Sequence, residues 1–296
     1  AEDSMNKIVP TTQKVSARAE ALHNSLFIAD LHSDTLMWKR SLLDPATRGH
    51  VDLPRLEAGH VGLQVFSSVT KTPSGQNYDA NPSDTDNITA LAIGQMQPVR
   101  TWTSLLERSL WHAEKLHDVE KRADGRLRIV KTPTDLASLL ADRAAGKRVT
   151  GALLSTEGGQ NLEGNLANVK RLHDAGFRML GLAHFFDTEL AGSMAGEKKG
   201  GLTALGAEVV RRQPQRHDRR GRISLRAEGP VLNINAKSAF DKDKVPEPKH
   251  GSVTVGMLVK FIPLLTGLAG DGSNSKVTAL MAVDLSKLES VPITWE

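Results

Sequence analysis

Short apolar runs alternate with segments of helical period along the first two thirds of the chain. FIADLH (27–32) predicts a buried strand, and Val61–Val69 a second one. VTGALLSTEGG (149–159) predicts a strong strand ending at Glu157, and FRMLGLAH (177–184) another ending in His184. LRIVKT (127–132) is a shorter candidate. Between them, SARAEALHNSL has helix propensity, Leu53–Ala58 forms a short helix stopped near Gly59, and residues 88–120 repeat Leu105, Leu106, Leu110 and Leu116 at helical spacing. TPTDLASLLADRAAG opens with a Thr/Asp cap signal, and residues 165–176 and 201–212 complete the helices. Strands alternating with helices predict an α/β fold with a parallel sheet.

The periodicity stops after Arg212. QPQRHDRRGRISLRAEGP has neither a strand nor a helix period, and residues 213–250 hold nine Lys or Arg against five acids. Apolar runs return in SVTVGMLVKFIPLL and KVTALMAVDL. The division expected is 1–212, the N-terminal α/β part, and 213–296, a divergent segment. A reading-frame change or a chimeric join near residue 213 would explain so abrupt a switch. The stretch TKTPSGQNYDANPSDTDN (70–87) reads as a long loop, and long loops in compact domains often carry function.

Composition narrows the chemistry. With 296 residues, 39% hydrophobic and 24% charged, the chain has the make-up of a globular protein with a sizeable core. A net charge of +4 and a single Tyr do not suggest a nucleic-acid partner. No run of about 18 apolar residues exists to span a membrane. There is no Cys, so disulfides and thiolate metal sites are excluded, and any zinc must be held by His, Asp or Glu. The first residue is Ala rather than Met, which favours an exported chain with its signal removed over a trimmed one.

The polar residues that interrupt apolar runs sit at predicted C-terminal strand ends, the edge where α/β folds build their sites. Asp30, His32 and Asp34 alternate after Phe27-Ile28-Ala29, so an extended chain directs them to one side. His-x-Asp offers an imidazole and a carboxylate suited to zinc or a similar ion; the alternative is a strand-end pair making turn hydrogen bonds. Glu157 ends a buried strand and precedes two glycines that permit a sharp turn; the alternative is a carboxylate capping the next helix. His184 is either a site residue or a satisfied core histidine. His23, His50, His60, His112, His117 and His173 fall on helices or loops and are expected to be solvated. Together these residues suggest a metal-assisted hydrolase, and no GxSxG, GxGxxG or P-loop competes.

ADLHSDTL, LLSTEGGQNLEGNLANVKRLHDAGFRMLGLAHFFDTELAGS and KGGLTALGAEVVRR resemble the membrane (renal) dipeptidase family of zinc peptidases, over residues 20–212. The resemblance implies a (β/α)8 TIM barrel and a two-zinc site that cleaves dipeptides, with tolerance for a D-residue at the carboxyl end. It makes His32 and Asp34 ligands of the first zinc and Glu157 the carboxylate bridging both. His184 resembles the histidine that contacts the scissile region of the substrate, and Asp30 a supporting residue behind the ligands. Homodimers are common in the family. The second half of the pattern departs from it: the Asp-x-Ser-His strand and a later Ser-His strand, which carry the second zinc, have no match. His217 and His250 are not expected to replace them, and Asp271 is only a faint echo of the family's late acidic residue. With 84 residues left after 212, four further strand–helix units of about 30 residues do not fit, so the barrel is expected to be incomplete or distorted. Its open edge should then be covered by the tail or by another copy. Two other readings remain: a catalytically impaired relative with one cation, and a non-enzymatic protein whose basic segment 216–249 docks an acidic partner.

Overall fold

The computed structural model describes residues 6–9, 14–212 and 280–282. Helix α1 (Ala17–Ser25), capped by Ser16, leads into β1 (Ile28–Ser33). A short helix α2 (Leu53–Ala58) starts where Asp52 accepts the Arg55 N–H, and β2 (Val61–Ser68) follows. Then come α3 (Asn87–Gly94), α4 (Arg100–Thr103), α5 (Leu105–Arg122), β3 (Leu127–Ile129), α6 (Pro133–Ala144) and β4 (Thr150–Thr156). Helix α7 (Ala167–Asp174), β5 (Phe177–Leu180) and α8 (Ala204–Arg212) continue the alternation, and β6 (Leu280–Ala282) lies far along the chain. The α/β expectation holds.

Four parallel strands lie side by side in the order β1, β2, β4, β5. That is the adjacency of successive staves in a barrel. Strand β4 is central, and all seven of its residues are buried. Strand β3 pairs with the first half of β4 and β5 with its second half, so the two share one edge. The sheet is not wholly parallel, which corrects the simplest expectation: β6 pairs antiparallel with β1, from Ile28↔Ala282 to Asp30↔Leu280. A parallel edge strand leaves a row of backbone donors and acceptors unpaired, and a tail segment can satisfy them in either direction. Other features assigned to residues 213–296, among them His217, His250, Asp271 and the basic segment, lie outside the described residues.

The main core joins the helices to one face of the sheet. Leu106, Ala113, Leu116 and Val119 from α5 pack with Phe66, Leu154, Phe177 and Leu180. A smaller cluster centres on Val65, Val130, Leu139, Val149 and Leu153.

Two elements differ from their predicted extents. The helical stretch 88–120 is three helices, because Met96 adopts positive φ, Pro98 cannot donate, and Ser104 is an extended cap whose Oγ accepts the Glu107 N–H. Strand β5 stops at Leu180, four residues before His184. No described helix is long and apolar enough to cross a membrane.

A candidate metal-binding active site

The C-terminal ends of β1 and β4 meet at one rim. Strand β1 carries Asp30 and His32, whereas Asp34 lies just beyond it and opens a 3-10 turn at Thr35–Met37. The alternation of the three polar residues is therefore only partly a strand property; Asp34 reaches the site through a turn. His32 Nε2 lies 2.8 Å from Asp34 Oδ1 and 3.6 Å from Glu157 Oε2. One ligand-capable atom from each of His32, Asp34 and Glu157 falls within 4.8 Å of the others, the one such cluster among the described residues. His184 Nε2 is 2.7 Å from Glu157 Oε1. The two carboxylate oxygens of Glu157 thus face different imidazoles.

Asp30 sits behind this cluster. It is buried, and its Oδ1 accepts the backbone N–H of His32 at 3.1 Å. Burial pushes its carboxyl pKa up, against the His32 N–H and the Gln64 side chain, which lower it. At His32, burial opposes the charged form, yet the Asp34 carboxylate and the negative charges of Glu157 and Asp30 outweigh it and raise the pKa to about 9. Three carboxylates, Asp30, Asp34 and Glu157, thus gather around one imidazole at this rim and hold it in its charged form.

Glycines determine how His184 arrives over Glu157. Gly158 turns at φ +89, and a Cβ on Gly181 would come within 2.9 Å of the Gly158 nitrogen. The Gly181 N–H donates to Thr156 O and the Gly159 N–H to Leu182 O, so the chain leaving β5 crosses directly over the turn after β4. The space left by the glycines is thus occupied by backbone, and this crossing carries His184 to the carboxylate. His184 then packs edge-on against Phe185 at 4.4 Å, and its carbonyl accepts a hydrogen bond from Ser193 Oγ.

The long loop 70–86 forms a wall beside the site. Asn81, 1% exposed, pins it: its Nδ2 donates to Phe185 O and Ala195 O at 2.9 Å each, and its Oδ1 accepts from Asn77 N. Arg108 of α5 holds the loop's two ends through Thr70 O and Asp86. Neither residue was singled out by sequence pattern; a polar residue inside an amphipathic helix or a turn-rich loop gives no local sign of its partners.

His112 overturns an expectation. Its place on a helix suggests a solvated ring, but it is 2% exposed, with Nδ1 2.8 Å from Ser68 Oγ. Its position on the face of α5 that carries Leu116 and Ala113 is the sequence signal that points inward. Burial, then the positive charges of Lys115 and Arg108, hold its pKa well below the imidazole range. The unfolded chain binds this proton near pH 6.5 and the folded chain does not, so stability falls as pH drops below about 6.5, with a limiting slope of about 1.4 kcal/mol per pH unit. Urea unfolding of the metal-free protein should approach that slope at about pH 5 to 5.5, where His32 is protonated in the folded and unfolded chain alike, and His112→Asn should flatten it.

The donor set fits a divalent ion. Imidazole and carboxylates are the ligands zinc accepts where cysteine is absent. Asp34 Oδ1 is shielded from solvent, and the group beside it at 2.8 Å, His32 Nε2, is itself a candidate ligand. A buried carboxylate oxygen in that state gains from a cation.

The family described as Membrane dipeptidase (Peptidase family M19) matches residues 16–217. The probable dipeptidase PvdM from Pseudomonas aeruginosa aligns with a TM-score of 0.47 and 17% identity, over 66% of this chain and 46% of that one. A metallopeptidase from Rhodobacter sphaeroides, solved with a phosphinate mimic of the dipeptide L-Ala-D-Ala, gives 0.46 and 22%, over 63% of this chain and 55% of that one. The chain spans about half the length of these structures. No curated protein matches it.

Proposed function

Because this chain belongs to the membrane dipeptidase family, we propose that it is a metal-dependent hydrolase of dipeptides, with His32, Asp34 and Glu157 as the cation ligands. The observation that carries this reading is Glu157 standing between His32 and His184, one carboxylate oxygen toward each.

A divalent ion in this place, zinc by family resemblance, would supply a water acidic enough to attack a carbonyl near neutral pH. The chain's own residues do the rest. Glu157 Oε1, on the His184 side, orients the nucleophile and takes its proton. His184 exchanges its contact with Glu157 for the substrate's carbonyl oxygen and donates to it as negative charge builds there. Asp30 holds the His32 backbone and so the ring that bears the ligand nitrogen. Side chains at the rim stay partly open, His32 at 48% and His184 at 26%, so a small peptide can reach both. Loop 70–86, pinned by Asn81, bounds the approach.

A second reading is a one-cation relative with little or no activity. It is favoured by the ligand count: three residues in one cluster among the described residues. Zinc content and turnover separate the two. Two bound zinc ions, after loading the full chain and removing excess, together with cleavage of dipeptides bearing an L- or D-residue at the carboxyl end, support the enzyme. One ion without turnover supports the impaired relative, and no ion at all overturns both.

A further inference from the structure

A file of buried polar side chains runs from helix α5 to the turn that bears Glu157. His112 Nδ1 meets Ser68 Oγ at 2.8 Å, Ser68 Oγ meets Ser109 Oγ at 3.0 Å, and Asn161 Nδ2 donates to Ser109 Oγ at 2.8 Å. Ser68, Ser109 and Asn161 have no exposed surface, and Gln160 is 4% exposed. Beside them, Gln160 Nε2 donates to Glu157 O at 3.0 Å and to Thr70 Oγ1 at 3.2 Å. Ser68 closes β2, and its carbonyl accepts the Glu157 N–H at 3.2 Å. The backbone of Glu157 is therefore held on both sides of its Cα, at the N–H by Ser68 and at the carbonyl by Gln160.

Apolar side chains would fill this space without the desolvation cost of buried polar atoms. An imidazole and two hydroxyls are held here in one mutually bonded set, and the set ends on the backbone of one residue of the metal cluster. We propose that His112 is a positioning residue: by fixing Ser68 it fixes the backbone of Glu157, and with it the direction in which the Glu157 carboxylate offers its oxygens to the cation. The proposal rests on the metal reading above. His112 touches neither the ligands nor the substrate, and its effect passes through Ser68.

A purely structural histidine and a positioning histidine differ in metal affinity. In the full chain, His112→Leu keeps the volume but removes the bond to Ser68. It should weaken zinc binding, measured by competition with a chelator, by about 10–100-fold, the range for partners that orient a ligand from behind. His112→Asn can place an amide where Nδ1 lies, and should stay within about threefold of the parent because the bond is kept. Ser109→Ala, a smaller change that loosens Ser68 and Asn161 together, should fall between and serves if the leucine variant does not fold. Zinc affinity equal to the parent in the leucine and alanine variants, with only the melting temperature lowered, would overturn the proposal. A parent chain that binds no zinc would instead overturn the metal reading beneath it.

Discussion

Glu157→Gln is expected to strip the zinc and lower dipeptide turnover by about 10²–10⁴-fold, the range for losing a positioned carboxylate from such a site. The substitution keeps the shape and removes the charge. An amide oxygen is a poor substitute for a carboxylate oxygen toward a divalent cation, and the amide nitrogen cannot take a proton from the nucleophile. The backbone of residue 157 keeps its bonds to Ser68 and Gln160 in the variant, because neither uses the side chain. The native fold should persist, with a stability change within about 1 kcal/mol. Metal analysis, peptide hydrolysis and thermal unfolding of the two proteins side by side decide the matter. Full metal content with normal turnover in the glutamine variant would refute the role given to Glu157. Loss of fold together with loss of metal would show instead that the carboxylate is structural.

Arg108→Leu carries the largest expected cost in stability, about 3–5 kcal/mol, because it leaves a buried charge without its partner. Arg108 is 1% exposed, and every one of its donors is used. Nε donates to Thr101 O at 2.6 Å, Nη1 to Thr70 O and to Asp86 Oδ2, and Nη2 to Thr89 Oγ1 and Trp102 O. One guanidinium thus joins α3, α4 and α5 to both ends of loop 70–86. Leucine would take the cation from the half-buried Asp86 carboxylate, which keeps only Thr89 Oγ1 and backbone N–H donors, and would remove a donor from three carbonyls. Burial raises the pKa of Asp86, but its bonds to Arg108 and Thr89, the Arg108 charge and the Ile88 N–H outweigh this and hold it below the usual carboxylate range. A depressed folded pKa contributes stability above about pH 4 that is lost as pH falls through the folded value. In the leucine variant that acid limb should move to higher pH. Urea titrations at pH 7 and through the acid range measure both effects, and a loss below about 1 kcal/mol at pH 7 would contradict the network's importance. Because the same residue anchors the wall of the site, KM for dipeptides should rise in any folded fraction.

The order and kind of most elements can be read from local pattern. Strand β4 is legible because the apolar run Ala152-Leu153-Leu154 is bounded by β-favouring Thr150 and by Gly158-Gly159, and α6 because Thr132 and Asp135 form a reciprocal cap with Pro133 at the first position. His32, Asp34, Glu157 and His184 could be named as candidates because each interrupts or ends an apolar run, and the motifs around them match a known family. The helices within 88–120 were harder, because a helical period survives interruption by Met96 and Pro98 while the backbone does not.

Other features depend on residues distant in sequence. Whether His184 meets Glu157 turns on a backbone crossing at Gly158, Gly159 and Gly181, and no period of 2 or 3.6 encodes such a crossing. The burial of His112 depends on Ser68, 44 residues earlier, presenting a hydroxyl to it. Likewise, β6 covers β1 through pairing between segments some 250 residues apart, a distance over which local propensity carries no information about partner or direction. Hydrophobic pattern selects the elements because burial acts on each side chain separately. Chemistry at the rim needs several groups within a few ångströms, and that proximity is a property of the packed chain.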